Sequence, residues 1–127
     1  MEHSVSLKRA YETPSAGDGQ RLLVDRLWPR GVSRENLKID EWYRSAAPSA
    51  EPRKWFGHDP SRWPEFKKRY FAELEVHPEN WQPLIDKMGK GKTTLVYGAR
   101  DTEHNDAAAL KEFLEAKLAR RQPAGTR

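Results

Sequence analysis

The run Asp25-Arg26-Leu27-Trp28-Pro29-Arg30-Gly31 gathers a carboxylate, two guanidinium forks and an indole. Tyr97-Gly98-Ala99-Arg100-Asp101 supplies a phenol and a third arginine. Planar arginine forks match the paired oxygens of phosphate and carboxylate. A carboxylate beside arginines stays ionised and suits orientation or base work rather than acid work. His58 adds an imidazole that changes charge near neutral pH, the property a proton-transfer group needs. The chemistry these residues point to is capture of a small anion or nucleotide. Arg26, Arg30 and Arg100 hold it, Trp28 covers it, and His58 or Asp25 moves a proton. A plainer reading weighs equally for the charged set: Asp25 and one arginine form an ion pair that fixes the loop. For His58 by itself, a surface or capping role is favoured.

For those residues to meet, two strands must end side by side. Val5-Ser6-Leu7-Lys8-Arg9 alternates apolar and polar, the period of a half-buried strand. Leu22 to Leu27 reads as a buried strand ended by Pro29 and Gly31. Lys92 to Tyr97, β-branched and bounded by glycines, is the clearest strand after that one. Leu37 to Arg44 is a further short candidate, after a helical turn at Ser33–Asn36. If the Leu22 and Lys92 strands run parallel as neighbours, Asp25, Arg26, Arg30, Tyr97 and Arg100 converge at their carboxyl ends. Ligands bind there in open α/β sheets.

Helices fill the remainder. Ser49 caps a short one that reaches Trp55-Phe56 and stops at Gly57. Ser61 caps the next, with Trp63, Phe66, Tyr70 and Leu74 as its apolar stripe and Pro64 at its third position. Asn80 caps a third, with Trp81, Leu84, Ile85 and Met88 on its face. Asn105 or Asp106 opens the last, which buries Leu110, Phe113, Leu114 and Leu118. Strands interleaved with helices predict an α/β class: a small, mainly parallel sheet with helices packed on it in a single compact domain.

Several motifs fail. Gly89 to Thr94 looks like a phosphate-binding loop, but Asp86 stands where its first glycine belongs, and the order is helix, loop, strand rather than the reverse. The ligand-rich run Asp101 to Asp106 holds one histidine and reads as helix-capping chemistry, so no metal is assigned, although a hard cation on those carboxylates stays open. With no cysteine there is no disulfide framework, thiolate catalysis or cysteine-based metal site. No cofactor motif is present.

The chain has 127 residues and a net charge of +4, which is the charge of Lys117–Arg127 alone. The body, residues 1–116, is therefore neutral, and the basic tail, 117–127, reads as a frayed terminus more readily than as a phosphate-binding arm. No apolar run reaches membrane-spanning length and no signal peptide is visible, so the cytoplasm is the default compartment, with no membrane partner. Oligomeric state is left open.

The segments Leu23–Gly31, Ala47-Pro48-Ser49, Trp55-Phe56-Gly57-His58-Asp59-Pro60, Arg69-Tyr70 and Leu95-Val96-Tyr97 with Asn105 closely resemble the YeaO-like family, the domain of unknown function 488. The likeness runs from about Leu7 to Leu114. Two positions differ from common family usage, Pro52 and Arg34. The resemblance implies a compact α/β fold and places Asp25, Arg26, Trp28, Arg30, His58, Asp59, Tyr97 and Asn105 in recurring motifs, without an activity. Some members carry a MarR-type regulator label, but short, proline-initiated aromatic helices on a neutral body do not make a recognition helix. Two alternatives to the anion site remain: a nucleic-acid module using the arginine/tryptophan loop and basic tail, and a structural or interaction domain without a ligand.

Overall fold

The computed structural model describes residues 5–121. Four strands, β1 (Ser6–Arg9), β2 (Gln20–Leu23), β3 (Glu41–Trp42) and β4 (Thr93–Tyr97), form one sheet in the order β1-β4-β2-β3, parallel throughout. β4 and β2, the two strands that the sequence marks most clearly, are the interior pair. Leu95 of β4 lies opposite Leu7 on one side and Leu22 on the other, and all five β4 residues are buried.

Five α-helices complete the fold: α1 (Arg34–Leu37), α2 (Ala50–Phe56), α3 (Trp63–Val76), α4 (Gln82–Met88) and α5 (Asp106–Arg121). Four of them pack on one face of the sheet. There Phe66, Tyr70, Leu84, Ile85, Leu110 and Leu114 meet Leu22, Leu95 and Tyr97 in the main core. The other face is covered thinly, where Leu23, Val96 and Leu37 pack with Trp28 and Trp42. Strand alternation assigns these faces: Leu95 and Tyr97 point one way and Val96 the other.

The α/β class and parallel sheet agree with the pattern read from sequence, while several boundaries differ. β2 ends at Leu23, so Asp25 and Arg26 lie in the loop beyond it. The segment after α1 yields only the two residues of β3, because Lys38 turns left-handed and ends α1 before Ile39. Ser49 occupies the cap position of α2, yet its hydroxyl donates to Glu73 on α3. Asp59, not Ser61, provides the cap before α3: its carboxylate accepts from the Ser61 N–H at 3.0 Å and opens a 3-10 turn over Pro60–Arg62. Trp81 precedes α4 in place of Asn80. α5 runs through Arg121, with Leu118 buried and Lys117 paired to Glu75 at 2.8 Å. The tail boundary at residue 117 therefore falls inside a helix, and residues 122–127 lie outside those described. No described helix is long and apolar enough to cross a membrane.

Candidate functional site

At the carboxyl ends of the strands lies an open cavity of about 680 Å³. Four segments wall it: Tyr11 after β1, the loop from Asp25 to Arg30, the α2 end with Arg53, Lys54 and Phe56 to His58, and the β4–α5 connection, with Gly98, Ala99 and His104 to Asp106.

Asp25 is fixed at both its side chain and its backbone. The Gly98 N–H donates to its Oδ2 at 2.8 Å, and its own carbonyl accepts from the Trp42 indole N–H at 2.7 Å. Burial pushes the Asp25 carboxyl up, against the Gly98 hydrogen bond. Asp106, the first residue of α5, is pushed up to about 7 by burial and then by the Asp25 charge, with Arg53 and Arg26 opposing. Two carboxylates in one cavity thus disfavour each other's charge.

The arginines divide by role. Arg26 Nη2 donates to the Pro48 carbonyl at 3.1 Å and Nε does so at 3.3 Å, tying the loop after β2 to the start of α2. Arg53 lines the cavity, its side chain donates no hydrogen bond among the described residues, and its Nε is the one buried side-chain polar atom there without a partner. A buried donor left unpaired costs on the order of 1–3 kcal/mol, so such groups are rare and point to something that pairs with them.

His58 stands at the rim, exposed, with a left-handed φ of 60° that follows the left-handed Gly57 ending α2. Asn105 contributes to the wall, but its side chain serves the helix: Oδ1 accepts from the Ala108 N–H and Nδ2 donates to the Asp101 carbonyl, both at 2.8 Å. Trp28 lines the cavity while its indole N–H donates to the Val32 carbonyl and its ring packs edge-on against Trp42. Arg30 is exposed at the opening.

Three residues that the sequence groups with this set stand elsewhere. Tyr97 points into the main core, 3% exposed, because strand alternation turns it from the sheet's end toward the helices. Arg100 is exposed and outside the lining, and Asp59 caps its turn. Sequence reasoning missed Arg53, and it assigned His104 and Asp106 to a helix-capping run rather than to the cavity they line. The signal for Arg53 was its position three residues before Phe56 and four before Gly57, which puts it on one helical face with them.

Residues 4–127 match the family model described as "Inactive DUF488-N3 subclade". This chain belongs to that family, DUF488-N3i. Among relatives of this DUF488-N3i chain, "Uncharacterized protein YeaO" of Escherichia coli is 38% identical over 113 residues, covering 89% of this chain and 98% of YeaO. "Uncharacterized protein Rv3073c" of Mycobacterium tuberculosis is 36% identical over 117 residues, covering 91% of this chain and 98% of its own. No solved structure matches.

Proposed function

We propose that this cavity binds a small anionic molecule without turning it over, with Arg53 as the principal ligand-holding group. The unpartnered, buried Nε of Arg53 beside a cavity of about 680 Å³ carries the reading. A guanidinium in such a place gains most from a bidentate anion that completes its donors. Arg26 adds positive charge from the loop and shapes it, and Arg30 and Lys54 extend the field toward the mouth. Asp25, clamped by the Gly98 N–H, orients the bound molecule, and His58 at the rim meets it on entry. The word "inactive" in the family's description favours binding over catalysis. The nucleic-acid alternative draws less support, since Lys117 at the head of the basic tail is paired with Glu75.

The test is a thermal-melt series in inorganic phosphate against chloride at matched ionic strength. Phosphate raises the melting temperature of the parent protein by a few degrees, as for any ligand that binds only the folded state. Arg53→Met removes that rise, and Arg69→Met, on the outer face of α3, keeps it. An equal rise in Arg53→Met contradicts the proposal.

A further inference from the structure

The cavity is not uniformly positive, and that narrows its occupant. Asp25 and Asp106 face the same space as Arg53. Among the described residues the Asp106 carboxylate accepts no hydrogen bond, and Asp25 accepts one, on Oδ2. A carboxylate has about four acceptor positions, so most of the acceptor capacity of this pair is open. An inorganic anion satisfies Arg53 and is repelled by both aspartates. The complementary molecule carries both an anionic group and hydrogen-bond donors.

Two kinds of donor fit carboxylates, hydroxyls and ammonium groups. Hydroxyls fit better here. Arg26 and Arg53 already balance the aspartates' charge, and the raised Asp106 carboxyl shares its proton with a group that both gives and receives hydrogen bonds. A metal ion is a poor fit, because the described residues contain no group of three or more ligands able to hold one. Size adds a third constraint. The volume suits a drug-sized molecule, not a bare phosphate. Of the three large hydrophobic residues exposed among those described, two, Leu27 (73%) and Tyr11 (49%), stand on this cavity's wall. Exposed apolar groups at a polar cavity mark contact with an apolar part of the ligand.

We infer that the occupant is a ribonucleoside monophosphate, its phosphate on Arg53, its vicinal ribose hydroxyls on Asp25 and Asp106, and its base against Leu27 and Tyr11. This rests on the anion-site reading and specifies its substrate class.

Calorimetric titration of the full chain with inorganic phosphate, ribose 5-phosphate, adenosine monophosphate, its 2′,3′-dideoxy analogue and glutamate tests it. Adenosine monophosphate binds at least about tenfold more tightly than phosphate, and ribose 5-phosphate falls between them. The dideoxy analogue loses about tenfold relative to adenosine monophosphate, the scale of lost hydrogen bonds to charged groups. Leu27→Asn, a neutral polar change at an exposed position, weakens adenosine monophosphate more than ribose 5-phosphate. If phosphate binds and the nucleotide binds no better, the inference fails while the anion site stands. If the dideoxy analogue matches the parent nucleotide, or glutamate outcompetes it, the hydroxyl assignment is wrong. If nothing binds, both readings fall.

Discussion

Two clusters of aspartate and arginine sit at opposite ends of this sheet, and they are built on opposite terms. At the amino end of β2, Asp18 is buried and fully engaged. It accepts from Arg21 Nη1 at 2.7 Å, Lys8 Nζ at 3.0 Å and the Ser15 N–H and hydroxyl at 3.0 Å each. Arg21 in turn donates to the Leu37 carbonyl at 2.7 Å, and the Thr94 hydroxyl donates to the Asp18 carbonyl. At the carboxyl end, among the described residues, the Asp106 carboxylate accepts no hydrogen bond and the Arg53 Nε has no partner, and both residues line a cavity. Burial pushes both aspartates up. At Asp18 the hydrogen bonds reverse that push and hold the carboxyl well below its ordinary range. At Asp106 burial and the Asp25 charge leave it near 7. A closed cluster stabilises the fold. An open one costs stability, which is what sites that bind ligands do.

The contrast can be broken hardest at Asp18. Asp18→Ala leaves Arg21, 4% exposed, without its countercharge, and is expected to lower stability by ~3–5 kcal/mol in urea unfolding. Because the folded carboxyl is depressed, its contribution is present above the ordinary value of 3.8 and fades as pH falls below it. The variant's deficit should therefore shrink in acid.

Asp106 predicts the opposite sign. Its raised carboxyl contributes stability fully below 3.8, and that contribution is lost as pH rises through about 7. Asp106→Asn should be more stable than the parent at pH 8, by up to about 4 kcal/mol in urea unfolding, and converge with it near pH 4. An unchanged difference across that range denies the strain at this end.

The smallest effect belongs to Arg53→Met without ligand. The side chain loses no hydrogen bond among the described residues, and the charge that opposes the raised Asp106 carboxyl goes with it, so stability falls by less than about 1 kcal/mol or rises. A loss of several kcal/mol shows that Arg53 supports the fold instead.

How far the sequence shows these two clusters follows from where each residue's information lies. Strand ends and turn residues announce themselves in local pattern. The Asp25–Arg30 loop and the Gly98-Ala99 turn do converge beside the amino end of α5. Which way each side chain faces depends on register and packing. β4's alternation turns Tyr97 inward. Arg9 Nε takes the Ala99 carbonyl at 2.7 Å, holding the turn from which Arg100 projects outward. Arg53 and Asp106 look in sequence like ordinary members of a helix's first turns. Only the packing of α2 against the β2 loop, through Arg26 and Pro48, brings them to the cavity. The Asp18 cluster was equally hidden, since Lys8, Asp18 and Thr94 belong to three separate segments.

The most direct measurement is anomalous diffraction from crystals soaked in selenate, a heavy analogue of phosphate and sulfate. An anomalous peak within hydrogen-bonding distance of the Arg53 guanidinium, with none at Arg21, is the predicted result. A map in which selenate avoids Arg53 and lies only on outward-facing basic residues would contradict the account.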